Sequence, residues 1–303
     1  MKRMILFSLT LLVVFPLGSL ANLLLTPGTT LEWLVIALQT TALFALNHIV
    51  GRWYWLNYNA RQVSLAILVL ALSYSYFMLE PGLRDSSYLI LGINLVILMF
   101  WLFYLLKAVR SAVPPVVPYP LVFPLEGDNY YTNEGGSSRL TNNHHVNHAQ
   151  RYALDFYRLD KFGRRCKGFY PSGLESYVIF GEPLYAPVSG TILKALDGLR
   201  DMTPPGLDEV NRAGNHVLIK TDDDRFIVMA HMKKGSVTVS EGDRVEAGSL
   251  LGEVGNSGRS EEPHLHIHCM DTLEEDYVRC GHGIPVQFDG RYLLRNQRVS
   301  RHG

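Results

Sequence analysis

Three histidines at alternate positions near the C-terminus, in the stretch EPHLHIH, are the residues best suited to chemistry: His264, His266 and His268. Successive side chains of a strand point to opposite faces, so the three imidazoles would share one face, with Leu265 and Ile267 on the other. Histidine is the commonest metal ligand, but it is also frequent on solvated surfaces. The alternation therefore predicts a strand that forms either one wall of a site or an ordinary polar surface.

Further candidate ligands and bases lie upstream of these histidines. The alternation in RYALDF places Asp155 on the side away from the apolar residues, and His231 closes the apolar run RFIVMAH. The stretch NNHHVNHAQ supplies His144, His145 and His148. A hydrolytic zinc site needs three nitrogen or oxygen ligands, an open position for water and nearby groups that move protons. The residues present are sufficient for such a site.

The elements that must position these residues are short strands. After about residue 140 the sequence consists of short runs rich in β-branched and aromatic residues, separated by turn residues, such as SYVIF, GTILKAL, NHVLIK and HLHIHCM. This pattern is typical of a mainly β domain, which is predicted for residues 140–303. The triple aspartate at Asp222–Asp224 lacks the spacing of a calcium-binding EF-hand loop and is predicted to be a solvated turn.

The first part of the chain has a different composition, because nearly all the long apolar runs lie before residue 110. Four apolar segments are near the 17 to 25 residues needed to span a bilayer as a helix: Met4–Leu25, Leu31–Val50, Val63–Leu79 and Tyr88–Leu106. They predict a membrane region of about four transmembrane helices over residues 1–110, with the lipid bilayer as a partner. The first segment could instead be a signal peptide, but an uncleaved anchor is favoured since the apolar run continues through Leu25.

Between these two parts, residues 111–139 are rich in proline and are predicted to form an extended linker. Over the whole chain of 303 residues the numbers of acidic and basic residues are equal, so no basic field for nucleic acid is present. A nucleic-acid partner is not expected. The pairing of Cys166, Cys269 and Cys280 cannot be deduced from an odd count.

The second part of the chain resembles the lysostaphin-type zinc metallopeptidases, the M23 family of cell-wall endopeptidases. The segments that carry the resemblance are EPLYAPVSGTILKALDG (182–198), GNHVLIK (214–220), MAHM (229–232), EGDRVEAGSLLGEVGNSG (241–258) and PHLHIH (263–268). It extends over roughly residues 140–290, about half of the chain. The resemblance implies antiparallel β sheets, one zinc ion per chain and hydrolysis of peptide bonds in peptidoglycan cross-bridges.

The resemblance also implies a role for each candidate residue. His266 and Asp155 would bind zinc, and the unligated pair His264 and His231 would activate water and stabilise the developing oxyanion. His268 stands where the family usually has another polar residue, and it is predicted to be either a residue behind the ligands or an exposed one. The family commonly has a histidine four residues before the aspartate, where this chain has Arg151.

The upstream ligand is therefore an open choice among three histidines. The chain is similar to a branch of the family in which Asn-x-His precedes QRYALD, and the match to Asn143-His144-His145 favours His145. His148 and then His144 are the alternatives.

The combined interpretation is a membrane-anchored zinc metalloendopeptidase in the bacterial cytoplasmic membrane, with peptidoglycan peptide as its substrate. One alternative is a catalytically inactive M23-fold module that binds or regulates cell-wall hydrolases, and another is a transporter or sensor in which the membrane part is the functional one. The peptidase domain is expected outside the membrane, where the wall lies. With four spans, however, the Lys and Arg residues that flank the apolar segments favour the inside. The sequence leaves the oligomeric state open.

Overall fold

A computed structural model of the protein describes residues 6, 8–25, 28–78, 88–274, 276–277 and 280–301. The chain forms two compact units, Met1–Arg110 and Ser111–Gly303. The predicted linker of residues 111–139 falls within the second unit. Its first residue is held there, because the Ser111 carbonyl accepts a hydrogen bond from the Ser137 amide (2.9 Å) and its hydroxyl lies 2.5 Å from that of Thr141.

The first unit is helical. A π-helical turn at Thr10–Val14 continues into α1 (Phe15–Leu25), and the other helices are α2 (Thr30–Val50), α3 (Ala60–Phe77) and α4 (Tyr88–Arg110). Within the described residues, α2, α3 and α4 are long and apolar enough to cross a membrane, whereas the apolar helix at Thr10–Leu25 is shorter. Three of the four predicted segments thus correspond to long helices. The first residues of the first segment and the last residue of the third lie outside the described residues.

Polar side chains join three helices of this unit. The Oδ1 atom of Asn94 in α4 accepts hydrogen bonds from Asn22 in α1 (3.0 Å) and from Gln39 in α2 (2.8 Å). The hydroxyls of Ser19 and Thr40 are 2.7 Å apart and also link α1 to α2. Hydrogen bonds of this kind hold helices together where the surroundings are apolar.

The second unit is built from strands. The strands are β1 (Tyr119–Leu121), β2 (Gly127–Glu134), β3 (Leu154–Arg158), β4 (Pro183–Tyr185), β5 (Gly190–Leu196), β6 (Asn215–Lys220), β7 (Phe226–Met232), β8 (Arg244–Val245), β9 (Leu250–Glu253), β10 (Leu265–Met270), β11 (Gly283–Ile284), β12 (Val286–Phe288) and β13 (Arg298–Arg301). The largest sheet has nine strands in the order β13-β2-β3-β10-β7-β6-β5-β8, with β11 paired to β10, and all its pairings are antiparallel. Two small sheets accompany it, antiparallel β4-β9 and parallel β1-β12.

The core of this unit lies on one face of the large sheet. Alternate residues of the central strands, such as Phe156, Met229 and Ile267, pack against side chains of the two small sheets, such as Leu251 and Phe288. The opposite face carries the intervening residues, including the histidines of β10. The predicted fold class, an apolar helical region followed by a mainly β domain with antiparallel sheets, is confirmed.

Candidate metal centre

Asp155 and His266 face each other across two neighbouring strands. Strands β3 and β10 are antiparallel, and these two residues are direct partners in the register. The Nδ1 atom of His266 lies 2.9 Å from Oδ1 of Asp155, and both side chains are buried. Residues directly opposite on one face of an antiparallel pair have adjacent Cβ atoms, so the pairing itself creates this contact.

His144 completes this group from a turn outside the sheet. A short 3₁₀ helix, Asn143–Val146, begins after Asn142, whose side chain accepts a hydrogen bond from the His144 amide. The Nε2 atom of His144 lies 2.9 Å from Oδ2 of Asp155. Glu134 holds the start of the turn by accepting from the Asn143 amide at 2.7 Å. The carboxylate of Glu134 is in turn paired with buried Arg295 at 2.6 Å.

The structure therefore brings His144, and not the predicted His145, to Asp155. The Nδ1 atom of His145 lies 3.3 Å from the carbonyl oxygen of Arg151, on the other side of the turn. His148 is exposed, and its carbonyl accepts a hydrogen bond from Gly283. Neighbouring residues of a 3₁₀ turn point in different directions, which is why only one of the two adjacent histidines reaches the carboxylate.

His144, Asp155 and His266 can hold a metal ion together, because one donor atom from each lies within 4.8 Å of the others. Burial would raise the pKa of the Asp155 carboxyl, but His144 and His264 beside it and hydrogen bonds from His144 and His266 hold the pKa well below its usual range. Burial lowers the pKa of His266 to about 4, against the effect of its hydrogen bond with Asp155. Asp155 is thus a carboxylate and His266 a neutral imidazole, the forms that bind metals.

His264 precedes β10 and presents one nitrogen to this group. Its Nδ1 atom donates to the carbonyl oxygen of Glu262 at 2.8 Å, since a carbonyl can only accept. Its Nε2 atom lies 3.7 Å from Oδ1 of Asp155. The ring stacks on Tyr157 of β3, with centroids 5.6 Å apart and an interplanar angle of 15°. In the neutral ring, Nε2 is therefore an unprotonated acceptor that faces the candidate ligands.

His231 reaches the same place because the backbone of β7 changes conformation at this residue. Strict alternation would put it on the core face together with Met229, but its φ angle is +63°. Met232 consequently returns to the core and His231 turns towards His264 and His266, with ring centroids 4.9 and 5.7 Å apart. A left-handed conformation costs a non-glycine residue about 1–2 kcal/mol and is often found at functional sites.

The proton of the His231 ring is also fixed by a backbone carbonyl. Its Nδ1 atom donates to the Ser257 carbonyl oxygen at 2.9 Å. Burial, followed by the neighbouring His264 and His266, holds the pKa of His231 well below its usual range, so the ring is neutral. Together with His264 and His266 it forms a second group of donors within 4.8 Å of one another. The two groups share His266.

His268 is buried on the same face, with 2% of its surface exposed. Of the two predicted positions, exposed or behind the ligands, the structure excludes the exposed one. Its Nδ1 atom lies 3.0 Å from Nε2 of His266. Cys269, the next residue of β10, lies on the opposite face and packs in the core. Among the described residues Cys166, Cys269 and Cys280 are free, with only Cys280 exposed.

No sequence pattern identifies several of the residues that support the site. Ser257 and Glu262 act through their carbonyls, which any residue type possesses. The buried pairs of Arg165 with Glu262 and of Arg295 with Glu134 join segments 97 and 161 residues apart in the chain. A hydrophobic pattern carries no information on such pairings.

Solved structures of peptidases are similar to this chain at low identity. The lysostaphin catalytic domain from Staphylococcus simulans is 22% identical over 43% of this chain and 74% of that one, with a TM-score of 0.28. A zinc-containing peptidase from Vibrio cholerae is 16% identical over 61% of this chain and 39% of that one, with a TM-score of 0.28. The deep-sea M23 metalloprotease pseudoalterin is 17% identical over 61% of this chain and all of that one, with a TM-score of 0.34. No curated protein matches the sequence.

A family model matches part of the second unit. The matched residues, 171–278, include His231, His264 and His266, while His144 and Asp155 lie upstream of them. The model is that of Peptidase family M23, and the C-terminal unit of this chain therefore contains a peptidase domain of that family.

Proposed function

We propose that the protein is a membrane-anchored zinc endopeptidase in which His144, Asp155 and His266 hold the metal and His231 and His264 transfer protons. The observation that carries this proposal is the joining of two donor groups through His266. One group contains the carboxylate of Asp155, which is held in its charged form. The other adds His231 and His264, whose Nδ1 atoms donate hydrogen bonds to backbone carbonyl oxygens.

The donor set fits zinc. Catalytic zinc sites use three protein ligands of nitrogen and oxygen type and keep one position open. Here two imidazole nitrogens and one carboxylate converge from a turn and two adjacent strands, and Glu134 and Asn142 hold the turn in place. When bound, zinc polarises the carbonyl of the scissile peptide bond and lowers the pKa of water at the site towards neutrality.

The two unligated histidines supply the proton transfers. Each neutral ring has its proton on Nδ1, so Nε2 of either ring can accept a proton from the attacking water. Once protonated, the same nitrogen becomes a donor, which can stabilise negative charge on the carbonyl oxygen or protonate the leaving amine. The stacking of Tyr157 on His264 and the left-handed backbone at His231 hold the rings in place for these steps.

The substrate class and the location are part of the proposal. The match of residues 171–278 to the M23 family, whose members the sequence resembles, favours peptides of bacterial peptidoglycan as the substrate. Three helices long enough to cross a membrane favour an anchor in the cytoplasmic membrane. The full chain, purified in detergent, should contain one zinc ion and release new amino groups from cross-linked peptidoglycan fragments, and His266→Ala should lose both properties. Hydrolysis that survives complete removal of zinc would contradict the proposal.

A further inference from the structure

His268 contacts the candidate ligand His266 on the side away from Asp155. It lies two residues after His266 in β10, on the same face of the sheet. Its Nδ1 atom is 3.0 Å from Nε2 of His266, and the ring centroids are 5.2 Å apart at an angle of 69°. His268 belongs to neither of the two groups of potential metal donors found among the described residues.

The orientation of His266 decides which of its nitrogens can bind zinc. Nδ1 faces Asp155 and Nε2 faces His268. A neutral imidazole carries one proton, so a ring that binds metal through Nδ1 must carry that proton on Nε2. Nε2 then needs an acceptor, because a buried N–H group without a partner is costly. The unprotonated Nδ1 atom of His268 is the acceptor that the structure offers.

The same pair must have a different arrangement when no metal is bound. The carboxylate of Asp155 can only accept, so the 2.9 Å contact requires the proton of His266 to be on Nδ1. Nε2 of His266 is then an acceptor, and His268 must donate to it from Nδ1. A histidine at position 268 can serve both arrangements, since either of its nitrogens can carry the proton.

We propose that His268 is a positioning residue that sets the tautomer of His266, and that both rings change tautomer when the metal binds. In the metal-free pair the protons are on Nδ1 of both rings, and in the loaded pair they are on Nε2 of both rings. Each ring holds one proton before and after, so the pair stays neutral. This inference rests on the proposed zinc site and adds a residue outside its ligand set.

A second feature of His268 agrees with this role. Its Nε2 atom is buried and has no hydrogen-bond partner in the described part of the chain. Buried polar groups are nearly always hydrogen-bonded, and those that are not call for a functional explanation. A ring that alternates between donor and acceptor at Nδ1 needs a second nitrogen for its proton. In the loaded pair Nε2 of His268 carries that proton, and a bound water must then accept from it, because a buried N–H group without a partner is costly.

The test compares two substitutions in the full chain. His268→Asn keeps an acceptor close to the place of Nδ1, and His268→Phe fills a similar volume without one. We expect His268→Phe to weaken zinc binding by about 10–100-fold in competition with a chelator, the usual loss when a partner of a metal ligand is removed. The zinc affinity of His268→Asn should remain within about threefold of the parent value, because the acceptor for His266 is kept. His282→Phe, a change at an exposed histidine, serves as the matched control.

Nuclear magnetic resonance of the parent tests the tautomers without any dependence on a variant's folding. With ¹⁵N-labelled histidine, the signals of His268 are identified by their absence from His268→Asn. We expect the protonated nitrogen of His268 to change from Nδ1 to Nε2 when zinc is added. An unchanged tautomer, or equal zinc affinity of His268→Phe and the parent, would overturn the role of His268. Failure of the parent itself to bind zinc would instead overturn the proposed function.

Discussion

Arg165 and Glu262 form a buried ion pair directly behind the catalytic histidine candidate His264. Nε of Arg165 lies 2.8 and 3.0 Å from the two carboxylate oxygens of Glu262, and both side chains are almost fully buried. The carbonyl of Glu262 is the group that accepts the hydrogen bond from Nδ1 of His264. The pair therefore fixes the backbone that orients the His264 ring.

Removal of one member of this pair should be strongly destabilising. Arg165→Met leaves the Glu262 carboxylate buried without its partner, which costs about 3–5 kcal/mol and should lower the melting temperature of the C-terminal unit by about 6–20 °C. All three cysteines lie in this unit and Cys269 is in its core, so a fluorogenic thiol reagent in a Cys280→Ser background reports its unfolding.

The neighbouring residue provides the control for this prediction. Arg164 is paired with Asp160 at 2.8 Å, but its side chain is 49% exposed, so Arg164→Met should cost less than about 1 kcal/mol. The double change Arg165→Met/Glu262→Met should recover part of the stability, because it removes both buried charges. Equal melting temperatures for Arg164→Met and Arg165→Met would show that the buried pair does not hold the fold.

Zinc binding should distinguish His144 from His145, which are adjacent in the chain. His144→Ala removes a candidate ligand and should weaken zinc binding by more than about 100-fold, beyond the range seen for residues behind the ligands. His145→Ala removes only a contact with the Arg151 carbonyl and should leave the affinity unchanged. A chelator competition on the full chain measures both. Loss of zinc in His145→Ala but not in His144→Ala would show that His145 is the upstream ligand, as the sequence predicts.

The difference between these two histidines shows what the sequence can and cannot predict. Strand alternation places Asp155 and His266 each on a predictable face, but their partnership is implied only by the family resemblance and is formed by the pairing of β3 with β10. His144 is placed by a 3₁₀ turn whose start depends on Glu134 and Arg295, and no local pattern encodes that contact. His231 breaks the alternation of its own strand through one left-handed residue, so its face could be inferred only by resemblance.

His231 and His264 should be needed for hydrolysis but not for zinc binding. His264→Ala and His231→Ala each remove a proton acceptor while leaving His144, Asp155 and His266 in place. We expect each to lower kcat for peptidoglycan hydrolysis by at least about 100-fold, the usual contribution of a general acid or base. Zinc content should stay at the parent level. A variant with the parent kcat would exclude its residue from proton transfer.

The backbone conformation at His231 predicts an unusual order of stability. Glycine adopts a positive φ without steric cost, whereas alanine does not. The free energy of unfolding of His231→Gly should therefore exceed that of His231→Ala by about 1 kcal/mol, and its melting temperature should be higher. Both variants lack the imidazole and should be equally inactive. Ala230→Gly, at the adjacent position of β7, is the control and should be less stable than the parent. A more stable His231→Ala would contradict strain at this residue.

The side of the membrane on which the C-terminal unit lies decides whether the wall can be its substrate. If the N-terminus is cytoplasmic and only the three long helices cross the membrane, the chain after Arg110 lies outside. If the shorter helix at Thr10–Leu25 also crosses, there are four spans and the chain after Arg110 lies in the cytoplasm. Lys107 and Arg110 favour the inside, but large domains translocate despite flanking charge. We expect Val210→Cys, at a side chain 87% exposed, to react with an impermeant thiol reagent in intact spheroplasts.

The background for this experiment is Cys280→Ser, which removes the exposed cysteine and should itself stay unlabelled until the protein is unfolded. Lysed spheroplasts give the full extent of labelling of Val210→Cys. Labelling before lysis means that the C-terminal unit is outside, where peptidoglycan lies. Labelling only after lysis would mean a cytoplasmic unit whose substrate is not the assembled wall. The zinc-site predictions would stand in either case, because they depend only on residues within that unit.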